Sequence, residues 1–210
     1  MTLIYGHRGA KGEAPENTLV SFEQCLQHGV RRCELDLHLS RDGELMVIHD
    51  PTLKRTTGRR GKVVQHDADE LANYDAREGG PGWKTPCPIP RLSELFEKCD
   101  FEHWQLEVKS ASRVRAARTV MAIKELAEQH RLLDRITVTS SSREVLRALN
   151  RLAPEISRGL VAEYNWLDPL KVARQYGCSL LALKWTLCTP ERLEKARKQG
   201  LHVSVWTVNE

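Results

Sequence analysis

The sequence has no long apolar run, no closely spaced cysteine pair and no block of charge of one sign. None of its apolar stretches approaches the roughly 18 residues that cross a membrane, so we expect no stable membrane insertion. The segment 1–7 has neither the basic nor the apolar region of a signal peptide. We therefore expect a cytoplasmic protein without a signal peptide. The composition is not that of a disordered, collagen-like or coiled-coil protein.

The six cysteines are too far apart to form a C-x-x-C pair, which argues against zinc and redox motifs. They stand at positions 25, 33, 87, 99, 178 and 188. We interpret them as small core residues of a cytoplasmic protein rather than as disulfide partners.

Basic residues exceed acidic ones only slightly. Lys and Arg number 32 and Asp and Glu number 28, which gives a net charge of +4. The cations are mixed with acids along the chain, whereas a nucleic-acid-binding protein concentrates them. We therefore expect an anionic small-molecule partner and no nucleic acid, and leave open a homo-oligomer. The 210 residues are expected to form one domain over 1–210.

Short apolar runs alternate with longer helical patterns along the chain. This alternation predicts a parallel sheet with helices outside it, an α/β fold. The predicted strands are 3–6, 32–37, 104–109, 135–139, 158–162, 180–184 and 201–208. The predicted helices are 18–28, 113–130, 142–150, 168–176 and 189–199.

Two regions depart from this alternation. Residues 38–44, with an Asp42-Gly43 turn, are too few for a parallel crossover, so 45–48 is predicted to return as a hairpin strand. Residues 51–100 are rich in glycine and proline turns. They predict a loop-rich insertion with one helix at 91–99.

Polar side chains stand where several predicted strands end. His7 and Arg8 follow the first strand, and Glu34 and Asp36 share one face of the second. Strand ends on the C-terminal side carry the site in parallel α/β folds. The paired carboxylates suit Ca²⁺ or Mg²⁺. The alternative interpretations are that His7 and Arg8 lie in an ordinary surface loop and that Glu34 and Asp36 lie on a solvent-facing strand.

Two further groups strengthen the first interpretation. His49 ends the return strand of the hairpin, so it is placed opposite the carboxylate pair. Glu107 and Lys109 share one face of the strand 104–109. The glutamate would add a third carboxylate, and the lysine would add positive charge for an anion such as phosphate.

Together these stretches resemble the glycerophosphodiester phosphodiesterase family over essentially the whole chain. The matching motifs are His7-Arg8-Gly9, Pro15-Glu16-Asn17-Thr18, Glu34-Leu35-Asp36, Asp42-Gly43, His49-Asp50, Leu53-Lys54-Arg55-Thr56-Thr57, Ile89-Pro90-Arg91-Leu92, Leu106-Glu107-Val108-Lys109 and Val205-Trp206-Thr207-Val208-Asn209. The resemblance implies a TIM-type (β/α)8 barrel with a small insertion after the hairpin, at roughly 51–100.

The resemblance also implies a set of roles for site residues. A divalent cation, Ca²⁺ or Mg²⁺, would be held by Glu34, Asp36 and Glu107. His7 and His49 would form the acid/base pair. The substrate would be bound by Arg8 and Lys109 at its phosphate and by Trp206 as an apolar wall, with Glu16 and Asn17 in support.

The implied activity is metal-dependent hydrolysis of glycerophosphodiesters to glycerol 3-phosphate and an alcohol. The nucleophile, water or the glycerol 2-hydroxyl, stays open, and so does the choice of basic histidine. One alternative is a sister enzyme acting on lysophospholipids, for which the sequence shows no apolar loop. Another is an inactive phosphate-binding relative, which the intact histidines and carboxylates disfavour. Ser140-Ser141-Ser142 stands where many relatives have Ser-Phe. The missing aromatic side chain affects the expected pocket for the alcohol and not the phosphate chemistry.

The strand count leads to one more expectation. With 45–48 in a hairpin, seven parallel strands remain, whereas a closed barrel of this type needs eight. Relatives continue past the Trp-Thr-Val-Asn stretch with a helix and a final strand. We therefore expect the chain to be a truncated version of a protein of about 240 residues, the usual size of such barrels.

Overall fold

The computed structural model describes residues 2–109, 112–164 and 167–208. Seven parallel strands form a nearly closed barrel in the order β1-β2-β4-β5-β6-β7-β8, and β3 pairs antiparallel with β2. The strands are Gly6–His7 (β1), Arg32–Leu39 (β2), Leu45–Val47 (β3), His103–Val108 (β4), Ile136–Ser140 (β5), Ser157–Ala162 (β6), Leu180–Lys184 (β7) and His202–Trp206 (β8). The predicted parallel fold and the hairpin are confirmed.

Helices fill the connections between the strands, as the alternation predicts. They are Leu19–Gln27 (α1), Lys54–Thr57 (α2), Ala68–Leu71 (α3), Leu92–Lys98 (α4), Arg113–Gln129 (α5), Arg143–Leu152 (α6), Pro169–Gln175 (α7) and Pro190–Lys198 (α8). Asp168 and Thr189 cap α7 and α8, since each side chain accepts a hydrogen bond from a backbone amide of the first turn. Proline follows each cap at the first helical position, where its missing N–H costs nothing.

Strand β2 separates the apolar core from the polar barrel interior. Leu35 and Leu37 are fully buried and pack in one cluster with helix residues such as Phe22 and Val120. Each such side chain contributes about 1.5–3 kcal/mol by leaving water. Because side chains alternate along a strand, this packing turns the carboxylates of the strand toward the inside of the barrel.

The first strand is shorter than predicted. It covers Gly6–His7 rather than 3–6, so His7 lies in the strand and does not follow it. Only β2 pairs with it in the part of the chain that the structure describes. Leu3 and Ile4 are 45% and 70% exposed. Without a partner on their other side, these residues gain too little burial to extend the ladder.

The insertion holds more regular structure than predicted. Besides α4, it contains the one-turn helices α2 and α3 and a 3₁₀ turn at Val63–Gln65. A small separate core that includes Met46, Leu53, Val63 and Leu71 supports them. The turns are too short to show a helical period in sequence. Buried side chains hold each of them in place: Leu53 just before α2, Val63 in the 3₁₀ turn, and Ala68 and Leu71 in α3.

Between β1 and β8 no strand pairing occurs among the described residues. The two strands approach each other nevertheless, since Thr207 Oγ1 lies 2.9 Å from His7 Nδ1. Asn209, the last residue of the final motif, lies outside the described residues. No helix in the described part of the chain is both long and apolar enough to span a bilayer.

Candidate active site

The loop after β1 directs Arg8 into the barrel mouth. Arg8 and Gly9 both have left-handed backbone conformations, with φ of 56° and 77°. A Cβ on Gly9 would lie 2.6 Å from the carbonyl carbon of Ser21, so only glycine fits there. The tight turn leaves the Arg8 guanidinium between two carboxylates. Its Nε lies 3.1 Å from Asp36 Oδ2 and its Nη1 donates to Glu16 Oε1 at 3.0 Å.

Three carboxylates meet inside the barrel, as predicted. Oxygen atoms of Glu34, Asp36 and Glu107 lie within 4.8 Å of one another. The register of the sheet explains the cluster, because Asp36 on β2 stands directly beside Glu107 on β4. Burial and the charges of Asp36 and Glu107 raise the pKa of Glu34 well above its usual range. Burial also raises the pKa of Glu107.

Asp36 is the best-compensated member of the cluster. Its carboxylate is 1% exposed and lies 3.3 Å from Lys109 Nζ. Asn17 Nδ2 donates to Asp36 Oδ2 at 2.9 Å. Burial alone would raise the pKa of Asp36, but Lys109 and Arg8 outweigh it and lower that pKa. Lys109 also donates to Glu107, at 2.8 Å.

The cluster suits a hard divalent cation. All its donors are carboxylate oxygens, the ligand type that Ca²⁺ and Mg²⁺ prefer. Two cations, Arg8 and Lys109, stand against three carboxylates. The raised pKa of Glu34 shows that this compensation is incomplete. A bound cation would remove the remaining repulsion.

His7 stands beside the cluster. Its Nε2 lies 3.7 Å from Glu34 Oε2, and its Nδ1 is held by Thr207. Burial, followed by the positive charges of Lys11 and Arg8, lowers the pKa of His7 to about 3. The imidazole is therefore neutral near pH 7.

His49 reaches the same cluster from the hairpin. It is among the groups whose charge lowers the pKa of Asp36. Because His7 lies 3.7 Å from Glu34, both histidines act on the same group of carboxylates. Nδ1 of His49 lies 2.6 Å from Asp50 Oδ1. His38 Nε2, which the motifs leave without a role, lies 3.0 Å from the backbone oxygen of His49. These contacts fix the ring and its backbone.

Arg55 joins two parts of the site that are far apart in sequence. Its Nε donates to Asp50 Oδ2 at 2.8 Å, and its Nη2 donates to Glu16 Oε1 at 2.7 Å. Glu16 in turn holds Arg8. Burial would raise the pKa of Asp50, but the hydrogen bonds from Arg55 and His49 lower it to about 2.

Sequence reasoning missed two of these residues. Arg55 lies in a matched motif, yet nothing local indicates that it contacts Glu16, which is 39 positions away. Lys11 lies in no motif, and its influence on His7 follows only from the folded loop. Trp206, expected to line the mouth, is half-buried at the end of β8 and packs beside Val161, Leu180 and Ala182.

Comparison with known proteins identifies the family. The model of the glycerophosphoryl diester phosphodiesterase family matches residues 7–210. The chain belongs to this family. The enzyme class expected from the sequence, a glycerophosphodiester phosphodiesterase, is thereby confirmed, and so is the barrel fold.

Individual relatives of this phosphodiesterase support the assignment. A glycerophosphodiester phosphodiesterase of Caldanaerobacter subterraneus is 30% identical and aligns with 99% of this chain and 86% of its own. A phosphodiesterase of Oleispira antarctica, solved with the product sn-glycerol 3-phosphate, superposes with a TM-score of 0.88 at 26% identity, covering 100% of this chain and 86% of that one. A lysophospholipase D of Rattus norvegicus is 30% identical over 59% of this chain and 41% of its own.

Proposed function

We propose that this phosphodiesterase hydrolyses a glycerophosphodiester to glycerol 3-phosphate and an alcohol, and that it needs a divalent cation. The observation that carries the proposal is the convergence of two histidines, Arg8 and Lys109 on one buried cluster of three carboxylates. Burying three carboxylates together is costly unless cations compensate them, so their presence here supports a functional role. The product seen in the Oleispira antarctica relative agrees with this reaction.

Glu34, Asp36 and Glu107 would hold the cation, Ca²⁺ or Mg²⁺. When bound, the cation would supply positive charge to the phosphate oxygens and stabilise their developing charge. Arg8 and Lys109 would orient the phosphate, since both retain N–H donors beyond those that their carboxylate partners use.

The surroundings of the two histidines suggest different roles. His7 is neutral near pH 7, so it can accept a proton from the nucleophile. His49 contacts the carboxylate of Asp50, which compensates the ring when it carries the proton that the leaving alkoxide receives. Both water and the glycerol 2-hydroxyl are suitable nucleophiles for this pair. Glu16 and Asn17 would support the site by holding Arg8 and Asp36.

The products identify the reaction. Purified protein incubated with glycerophosphocholine and Mg²⁺ or Ca²⁺ should release glycerol 3-phosphate and choline, detected by phosphorus NMR. Release of phosphocholine and glycerol would assign cleavage to the other ester bond. Binding of the substrate without turnover would support the inactive relative instead.

One observation favours the lysophospholipid alternative. Tyr164 and Trp185 are 62% and 60% exposed on the loops that follow β6 and β7, at the end of the barrel where the site lies. A lysophospholipase D relative also aligns with part of the chain. Assaying lysophosphatidylcholine beside glycerophosphocholine decides between the two substrate classes. We expect glycerophosphocholine to be hydrolysed faster.

We also propose that the enzyme works in the cytoplasm. All six cysteines are unpaired, and five of them are buried. Burial raises the pKa of each thiol, with Cys99 at about 12. Such thiols suit a reducing compartment. Fractionation of cells that express the protein with a reporter tag tests this location.

A further inference from the structure

A cavity of about 120 Å³ lies beside the phosphate-binding corner of the site, between the loop after β1 and the insertion. Lys11, Glu16, Arg55 and Glu78 line it, together with the chain at 79–81. Glu16 and Arg55 also form the network that holds Arg8. The cavity therefore adjoins the place where a bound phosphate would contact Arg8. Its volume corresponds to several water molecules, enough for a small polar alcohol.

The charges around the cavity are unevenly compensated. Arg55 is paired with Glu16 and Asp50, and Glu16 is paired with Arg8 as well. Lys11 differs, because its ammonium has neither an ion pair nor a hydrogen bond among the described residues. Lys11 is only partly exposed. Burial and the charge of Arg8 lower the pKa of Lys11, which shows that the ammonium lacks full compensation.

We propose that this cavity receives the alcohol part of the diester and that Lys11 selects an alcohol bearing an anionic group such as a carboxylate. The inference rests on the proposed function, since it names a substrate class for the same site. A partly buried ammonium without a partner is stabilised by an anion brought next to it.

Glu78 also lines the cavity and would favour a cationic group. Its side chain is exposed, so water and salt screen its charge. Lys11 is more deeply placed, and its interaction with a bound group is screened less. The balance therefore favours a negative group, and an alcohol that carries both charges can use both residues.

Two substrates isolate the effect of a carboxylate on the head group. Glycerophosphoserine differs from glycerophosphoethanolamine only by the carboxylate on its head group. The measured quantity is kcat/KM for the serine ester divided by kcat/KM for the ethanolamine ester. We expect Lys11→Met to lower this ratio about tenfold, the usual effect of losing one hydrogen bond to a charged group. Lys11→Arg should keep this ratio close to the wild-type value.

Taking a ratio removes effects common to both esters. Loss of the Lys11 charge also acts on His7, but it does so whichever head group is bound. Lys84→Met is the matched control, because Lys84 is an exposed lysine of the same insertion that does not line the cavity. It should leave the ratio unchanged, and Glu78→Gln should change it less than Lys11→Met does.

The outcomes distinguish this inference from the proposed function. If the wild-type protein hydrolyses neither ester, the proposed function itself is wrong. If it hydrolyses both and Lys11→Met leaves the ratio as it was, only the role of Lys11 is overturned. A larger change from Glu78→Gln than from Lys11→Met would likewise overturn it.

Discussion

Arg55 holds Asp50 through two hydrogen bonds, of 2.8 Å from Nε to Oδ2 and 3.2 Å from Nη2 to Oδ1. The same guanidinium holds Glu16 through two more. Asp50 contacts His49, and Glu16 contacts Arg8. One side chain of the insertion therefore positions both His49 and Arg8, the arginine that we propose binds the phosphate.

Replacing Arg55 should slow the reaction without unfolding the protein. We expect Arg55→Met and Asp50→Asn each to lower kcat by about ten- to a hundredfold, less than the full value of a general acid or base. The alkaline limb of the pH–rate profile should shift in both variants. It should move to lower pH in Asp50→Asn, where the proton donor His49 loses its carboxylate partner, and to higher pH in Arg55→Met, where Asp50 keeps its contact with His49 and loses the competing guanidinium. Exposed Arg60 offers the control Arg60→Met. An unchanged profile in both variants would assign Arg55 a structural role alone.

The two histidines should be separately essential. His7→Ala and His49→Ala are each expected to lower kcat at least about a hundredfold with little change in KM, because a general acid or base acts mainly in the transition state. The wild-type pH–rate profile should be bell-shaped. Exposed His28 provides the control His28→Ala. A variant with a near-normal rate would remove that histidine from the mechanism.

The carboxylate cluster should bind the cation and should lower the stability of the cation-free protein. Glu34→Gln, Asp36→Asn and Glu107→Gln are each expected to abolish tight binding of Ca²⁺ or Mg²⁺, measured by calorimetry, and most activity. In chelator, Glu34→Gln should unfold at a higher temperature than the wild type. The wild type must either bury a Glu34 charge that Asp36 and Glu107 repel or take up a proton on folding, and the neutral amide avoids both costs. A cation still bound by the triple variant would contradict the assignment.

A histidine far from these carboxylates should make stability depend on pH. His103 lies between Tyr5 and Thr137, with Nδ1 3.1 Å from the Tyr5 hydroxyl and Nε2 3.0 Å from Thr137 Oγ1. Burial, and then the charge of Arg32, lowers the pKa of His103 from 6.5 to about 4. The unfolded chain therefore binds the proton more readily, and stability is lost as pH falls from about 6.5 toward 4.

The free energy of unfolding in urea, measured at pH 7 and pH 5, tests this dependence. His103→Gln should be less stable than the wild type at pH 7, with a smaller difference at pH 5. Exposed His28→Gln should leave the pH dependence unaltered. An equal difference in stability between the wild type and His103→Gln at pH 7 and pH 5 would show that His103 does not cause the pH dependence.

The carboxylate cluster was predictable because its placement follows from strand geometry. Two-residue spacing puts Glu34 and Asp36 on one face, and parallel pairing brings Glu107 to the level of Asp36. Lys109 follows by the same alternation. The sequence also predicts which face is apolar, since Leu35 and Leu37 enter the core.

Contacts made by loops were not predictable in this way. Arg55 meets Glu16 only because the insertion folds on its own small core, which includes Met46, Leu53 and Ile89. No periodicity marks so short a set of turns. The cavity beside Lys11 depends on the same packing, since the chain at Gly80 lies against Pro15.

The most direct test of the account is the release of glycerol 3-phosphate from glycerophosphocholine before and after chelation. We expect EDTA to abolish the release, and addition of excess Ca²⁺ or Mg²⁺ to restore it in the wild type but not in Glu34→Gln. Full activity in the chelated wild-type enzyme would contradict the role assigned to Glu34, Asp36 and Glu107.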